Sequence, residues 1–300
     1  MLAANALQFV APVDQGGNGY IFKVRSTLSG DLWALKALRK DYRQPTSLFT
    51  ESEFFSNYEH VMRLPPCRHL CRVMEMAQDA QSFYVIMEWA RGEDCERGRV
   101  DEEDARHIAE GALRGLDVLH IHGITHGDVS LGNIVKGENG RVMLVDFDNI
   151  LTPESPKLRG LAGTRQYLAP ECFASLDYSP ASDLWAVGVA IYFLLTGRFP
   201  FNVRGDGSIS ASAMRQVTSA MRQGVPFLST DEVSPEAADI VRRLLTADKG
   251  KRIPSASDAL AHPWFAAGAA QTHSAAPPPS DHPEHSSTHS SHHTGATANE

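Results

Sequence analysis

The stretch "GITHGDVSLGNIV", residues 123–135, decides how this chain is read. An apolar neighbourhood closes around a His-Gly-Asp, and an Asn follows five residues after the Asp. His126, Asp128 and Asn133 thus place an imidazole, a carboxylate and an amide in one tight loop. A carboxylate held there can orient or deprotonate a hydroxyl. An amide oxygen beside it can bind a hard metal ion. Gly127 raises a separate question, whether it is an ordinary loop residue or marks a lost side chain.

Two neighbouring segments supply what such a loop lacks. In "LVDFD" Asp146 ends a strand, a good place for a carboxylate that ligates Mg²⁺. Thirteen residues separate it from Asn133, enough for a strand, a turn and a strand that return the two side chains to one place. Near the start, "VDQGGNGYIFKV" carries Gly16, Gly17 and Gly19, whose backbone N–H groups can approach phosphates closely. Ile21 follows the turn, and fifteen residues later Lys36 stands in "WALK". A lone glycine-rich turn is usually a plain hairpin, and a lone strand lysine a solvated charge. Together they can form a phosphate grip.

Composition bounds the rest. Of 300 residues, 42% are hydrophobic and 21% charged, which suits one large domain or two lobes. The net charge of −8, with basic residues scattered, leaves no broad footprint for nucleic acid. The longest apolar run, "LWAVGVAIYFLL" at 184–195, is too short to cross a bilayer and reads as a buried core helix. The opening "MLAANALQFVAP" lacks the basic flank of a signal peptide, so an intracellular, cytoplasmic setting is expected. Cys67, Cys71, Cys95 and Cys172 form no CxxC pair and are expected to be buried or half-buried thiols.

The first third reads as strands, with "TLSGD" as a hairpin turn between "YIFKVRS" and "LWALKAL". Residues 47–64 switch to a helical period, with Phe54, Phe55, Tyr58, Val61 and Met62 on one face, until "LPPCRH" stops the helix. "LCRVMEM" and "SFYVIMEWA" return to strand. Asp101 can cap a long helix whose apolar face carries Ala105, Ile108, Ala112, Leu116 and Leu119. "RVMLVDFD" is a short strand after a turn at 138–140, and helices then dominate to Phe265, with starts at Ser234 and Ser255. The pattern implies an α+β fold of two lobes. From Ala266 the chain turns to Ala, Pro, Ser, Thr and His, with six of the 13 histidines, and is expected to be a disordered tail.

In order, these motifs resemble those of eukaryotic protein kinases over roughly residues 7–265. "DQGGNG" resembles the glycine-rich loop, "WALK" the lysine strand, "HGDVSLGN" the HRDxxxxN loop and "DFD" the DFG motif. "GTRQYLAPE" (163–171) resembles the end of the activation segment, and "SDLWAVG" (182–188) the helix that anchors the catalytic loop. "ADKGKRIPSASDALAHPWF" resembles the closing helices of calcium/calmodulin-type Ser/Thr kinases, with Arg252 expected to pair with Glu171.

The resemblance implies a two-lobed fold, with a small antiparallel-sheet N-lobe (about 1–89) carrying one long helix. A hinge (88–92) and a larger helical C-lobe (93–265) follow. It implies ATP and Mg²⁺ as cofactors and protein Ser/Thr hydroxyls as acceptors. Lys36 is then expected to bind the phosphates and pair with a helix glutamate. Glu51 is preferred to Glu53 and Glu59 on helical period. Gly16, Gly17 and Gly19 would cover the phosphates. Met87 falls at the gatekeeper, and Glu88 and Ala90 would offer backbone hydrogen bonds to adenine. Asp94 is placed to reach the ribose, and Ile21, Ala34 and Val135 would sandwich the ring. Asp128 would orient the acceptor hydroxyl, and Asn133 and Asp146 would hold Mg²⁺.

Several positions depart from the pattern. Gly127 stands where many kinases carry an Arg that grips an activation-loop phosphate, and 157–160 contain no Ser or Thr. Both imply activity that does not wait for phosphorylation there. Ser130 replaces a Lys that steadies the γ-phosphate, Asp14 the first loop glycine, Asn18 the aromatic at its tip and Asp148 the DFG glycine. Asp148 would stiffen that hinge or add a third carboxylate near the metals. Gly132 stands where a Glu often selects basic substrates.

Three functions compete: an active Ser/Thr kinase, a pseudokinase acting through nucleotide or partner binding, and a small-molecule phosphotransferase. The last shares "HGD…N" but lacks the APE segment and the partnered Arg. The shortened surface at 91–99 leaves room for a regulatory partner.

Overall fold

The computed structural model describes residues 6–16, 19–40, 51–155, 158, 160–203, 210–226 and 233–269. Residues 266–269, expected to open the tail, are helical instead, continuing the helix that starts at Pro263. The rest of the expected tail (270–300), Gly17, Asn18, Lys157 and Arg159 lie outside the described residues.

Five antiparallel strands build the first lobe: β1 (Leu7–Gly16), β2 (Gly19–Ser26), β3 (Leu32–Arg39), β4 (Val73–Gln78) and β5 (Ser82–Glu88), in the order β1-β2-β3-β5-β4. The β2–β3 hairpin closes at Gly30, whose φ of +78° suits glycine. Helix α1 (Glu51–Met62) lies against this sheet. Its buried face is Phe54, Tyr58 and Val61, and Phe54 stacks on Phe83 of β5 at 4.7 Å. Met62, expected on the same face, is 42% exposed because it sits where the helix ends before Pro65.

The expected strand "LCRVMEM" begins three residues late. Leu70 and Cys71 turn instead to the second lobe, where the Cys71 amide donates to the Leu144 carbonyl (2.8 Å) and the Leu144 amide to that of His69 (2.9 Å). These backbone bonds fasten the segment between α1 and β4 to the strand that leads into the candidate site.

The second lobe opens with β6 (Gly92–Asp94) and α2 (Glu102–Ile121), capped as expected by Asp101, whose Oδ1 accepts from the Asp104 amide at 2.8 Å. Strands β7 (Ile134–Gly137) and β8 (Val142–Leu144) complete a small sheet with β6. Helices α3 (Pro170–Ser175), α4 (Pro180–Thr196), α5 (Ala211–Arg222), α6 (Pro235–Leu244), α7 (Ala256–Leu260) and α8 (Pro263–Ala269) follow. The apolar run 184–195 forms α4, buried almost all round and packed between α2 and α6. Among the described residues no helix is long and apolar enough to cross a membrane. The antiparallel five-stranded lobe and the helical lobe together make the two-lobed α+β fold expected from the sequence.

Candidate active site

The catalytic-loop candidate takes its shape from one buried carboxylate. Asp183, 2% exposed in the first turn of α4, accepts from the amides of His126 (2.8 Å) and Gly127 (3.0 Å) and binds His120 Nε2 (2.9 Å). Its place near a helix N-terminus favours the negative charge. His126 is fully buried. Its Nδ1 accepts from the Asp128 amide (3.3 Å), so the ring proton sits on Nε2, facing the Val145 carbonyl at 3.2 Å. Phe147 packs beside this ring at 5.8 Å. The histidine is therefore a spacer that fixes the loop against the 145–147 segment.

Gly127 has φ +76°, and a Cβ added there would lie 2.3 Å from the Asn149 carbonyl oxygen. The position is one that only glycine fills without strain.

Asp128 is fixed at both oxygens. The Thr164 amide and hydroxyl each donate to Oδ1 at 2.8 Å, and Asn149 Nδ2 donates to Oδ2 at 3.3 Å. Asn133 Nδ2 donates to the Asp128 carbonyl at 2.8 Å, and the Val145 amide to the Asn133 carbonyl at 3.0 Å. These bonds tie the loop of Asp128 and Asn133 to Val145, the residue before Asp146. Asn149 had no signal in the sequence beyond its place after "DFD".

Asp146 follows β8 in the left-handed region, φ +62°. Its Oδ1 accepts from Lys36 Nζ at 2.6 Å and from the Asp148 amide at 3.2 Å. Lys36 also reaches Asp148 Oδ2 at 2.7 Å, and the hydroxyl of Tyr58 on α1 donates to Asp148 Oδ1 at 2.5 Å. Burial alone would lower the lysine, but the charges of Asp148 and Asp146 outweigh it and hold its pKa above the ordinary range. Burial likewise opposes ionised Asp146, yet Lys36 prevails and keeps its pKa low. For Asp148 burial wins, with Asp146 adding repulsion, and its pKa is raised.

Asp148 is a contact of Lys36 that the sequence reading did not name. The described partners of Lys36 are the two carboxylates of the 146–148 segment. The side chain of Glu51 lies outside the described residues. Glu59 is spent on Arg63 at the surface (2.9 Å).

The remaining candidates fall around this centre. Lys36 pairs in register with Ile21 and Val85, and Ala34 with Met87, so these side chains share the face of the sheet that carries Lys36. Val135 pairs with Asp94 between β7 and β6. Gly19 packs so tightly that a Cβ would lie 2.1 Å from the Ala37 carbonyl oxygen. The backbone of Gly16 ends β1, and Ala90 links β5 to β6. The Glu88 amide already donates to the Arg72 carbonyl (2.8 Å), and its side chain is held by Arg141. Its carbonyl keeps a free lone pair beside the long contact from the Cys71 thiol (3.5 Å). Asp14 lies on the exposed part of β1.

Two oxygens remain open for a cation: Oδ2 of Asp146 and Oδ1 of Asn133 accept no hydrogen bond among the described residues. Hard oxygen donors of this kind suit Mg²⁺, which completes its shell with waters and phosphate oxygens. Farther out, Arg252 Nη1 and Nη2 bind Glu171 at 2.7 and 3.1 Å with the guanidinium fully buried, the expected pair.

Comparison with known proteins agrees with this architecture. The family model described as "Protein kinase domain" matches residues 7–265. A serine/threonine-protein kinase H1 homolog of Danio rerio is 30% identical over 275 residues, covering 87% of this chain and 62% of its own. A calcium/calmodulin-dependent protein kinase type 1 of Macrobrachium nipponense is 29% identical over 230 residues, covering 74% and 65%. The serine/threonine-protein kinase H1 of Mus musculus is 28% identical over 273 residues, covering 87% and 62%. The chain thus spans less than two thirds of the length of these curated relatives. With its motifs in order, its two lobes and its matched residues 7–265, the chain belongs to the protein kinase domain family.

Proposed function

We propose that the chain is an ATP-dependent protein Ser/Thr kinase, with residues 1–265 as the catalytic unit. The observation that carries this is the convergence of Lys36, Asp146, Asn133 and Asp128 through hydrogen bonds of 2.6–3.0 Å. Phosphoryl transfer asks for positioning and charge neutralisation more than for covalent help. Lys36 grips phosphate oxygens from β3. Ile21, Ala34, Met87 and Val135 close on the adenine, the backbones of Glu88 and Ala90 read its edge, and Asp94 reaches the ribose. Gly16, Gly17 and Gly19 bring amides over the phosphates. Asp128, held by Thr164 and Asn149, accepts the hydrogen bond of the acceptor hydroxyl and aims it. Asn133 and Asp146 offer their open oxygens to Mg²⁺, which when bound neutralises charge on the transferring phosphoryl group.

Gly127 presents no guanidinium for an activation-loop phosphate, which supports activity independent of phosphorylation there. A second reading, nucleotide binding with little transfer, is favoured by Ser130. It is buried in the loop where no basic residue of 128–133 replaces the missing Lys.

Transfer of ³²P from ATP with Mg²⁺ to generic protein acceptors and to the chain itself, with Asp146→Asn in parallel, separates the two. Label that appears with the wild type and vanishes in the variant is the expected result. Folded wild-type protein that binds nucleotide without transferring label would overturn the kinase assignment in favour of the second reading.

A further inference from the structure

Tyr58 is 1% exposed, and its hydroxyl ends on Asp148 Oδ1. A phenol that buried needs a partner, and the carboxylate provides it. The other oxygen of Asp148 holds Lys36 Nζ at 2.7 Å, and its backbone amide is tied to Asp146 Oδ1 at 3.2 Å. Three elements are thereby joined through one side chain: α1 by Tyr58, β3 by Lys36, and the segment after β8 by Asp148 itself. The family pattern has glycine at this position, which keeps the amide contact but has no side chain to reach Tyr58 or Lys36.

Resting on the phosphotransfer reading above, we propose that Asp148, fixed by the Tyr58 hydroxyl, is a positioning residue that sets the Lys36 ammonium for phosphate binding. The coupling between α1 and the nucleotide site then runs through a phenol–carboxylate–ammonium chain. Displacing α1 draws Tyr58 from Asp148 and loosens one of the two carboxylate contacts that hold Lys36.

The test compares wild type, Asp148→Gly, the isosteric Asp148→Asn, Tyr58→Phe, Lys36→Met, Glu51→Gln and Glu53→Gln. Each is checked for a cooperative melt and titrated with a fluorescent ADP, with and without Mg²⁺. Steady-state ATP kinetics follow. Loss of a buried charge-assisted hydrogen bond should lower nucleotide affinity about tenfold or more in both Asp148 variants, and by roughly threefold in Tyr58→Phe. Because the residues act as one chain, Asp148→Gly should cost no further affinity when Lys36 is already Met, and Tyr58→Phe none when Asp148 is already Gly.

A purely structural role would make these losses additive, and that result overturns the proposal. So would wild-type affinity in Asp148→Asn, tighter binding in Asp148→Gly, or a glutamine variant at 51 or 53 that alone matches Lys36→Met while Asp148→Asn does not. Wild-type protein that binds no nucleotide would overturn the phosphotransfer reading itself, and this proposal with it.

Discussion

Substituting Gly127 by alanine tests how tightly the catalytic loop is built. Two effects oppose a side chain at this position. The backbone φ of +76° is left-handed, which costs an L-residue about 1–2 kcal/mol. The added Cβ would also lie 2.3 Å from the Asn149 carbonyl oxygen, a backbone atom that cannot swing aside. Forcing an extra methyl into such a gap adds roughly 1–3 kcal/mol. Gly140 separates the two effects, since its φ is +75° and nothing lies within 4 Å of its added Cβ. Gly140→Ala therefore isolates the conformational cost, and Gly127→Ala should be destabilised further by about 1–3 kcal/mol. Urea denaturation at neutral pH gives both values, provided the slope is unchanged. Relief of the clash would push Asn149 away from Asp128, so Gly127→Ala should also lose transfer activity while Gly140→Ala does not. The reasoning is refuted if the two variants unfold at the same urea concentration.

Replacing Arg252 by alanine should cost about 3–5 kcal/mol, because Glu171 is left as an unpaired carboxylate against the core; the urea midpoint measures it. Asp128→Asn should leave nucleotide affinity near wild type but cut transfer by about a hundredfold or more, read from single-turnover ³²P transfer. Glu102 accepts from Ser234, Trp264 and Arg106. Burial opposes its charge, but those donors outweigh burial and keep its pKa low. A carboxylate depressed in the folded state contributes stability above its unfolded pKa and loses it as pH falls through the folded value. The stability gap between wild type and Glu102→Gln should thus be constant near neutrality and narrow below about pH 4. A gap that stays constant into that range counts against the role of the ionised side chain. Burial pushes the thiols of Cys71, Cys95 and Cys172 up to about 12, so a thiol reagent at pH 8 should label Cys67 first. Peptide mapping after brief labelling would show it.

What could be read in the sequence was whatever depends on spacing along the chain. Asp101, Ser234 and Ser255 cap their helices because a cap is a contact across three residues. The faces of α1 and α2 followed from period. The Glu171–Arg252 pair spans 81 positions, and only resemblance could supply it. What escaped was decided by polar atoms whose partners are remote in sequence. Tyr58 reads as one more apolar residue of the α1 stripe, and period says which way it faces but nothing of where its hydroxyl ends. Asn149 matches no pattern at all, yet it holds one oxygen of Asp128. The strand expected over "RVMLVDFD" stops at Leu144 because the next amide bonds to Asn133 and Asp146 enters the left-handed region.

Gly127 and Asp148 show how a departure from pattern should be weighed. Read along the chain, Gly127 looks like an arginine lost and Asp148 like a hinge spoiled. In three dimensions the first fits a left-handed turn closed against Asn149, and the second gives a buried phenol and a buried ammonium their shared partner. A random substitution at a buried site leaves polar atoms unsatisfied. At Asp148 both carboxylate oxygens and the backbone amide are satisfied, by partners on two other elements and by Asp146. Satisfaction of that extent argues that the carboxylate belongs to the working site and is not a mark of decay. The departure from the family pattern at Asp148 thus coincides with a contact to Lys36 that a glycine could not make.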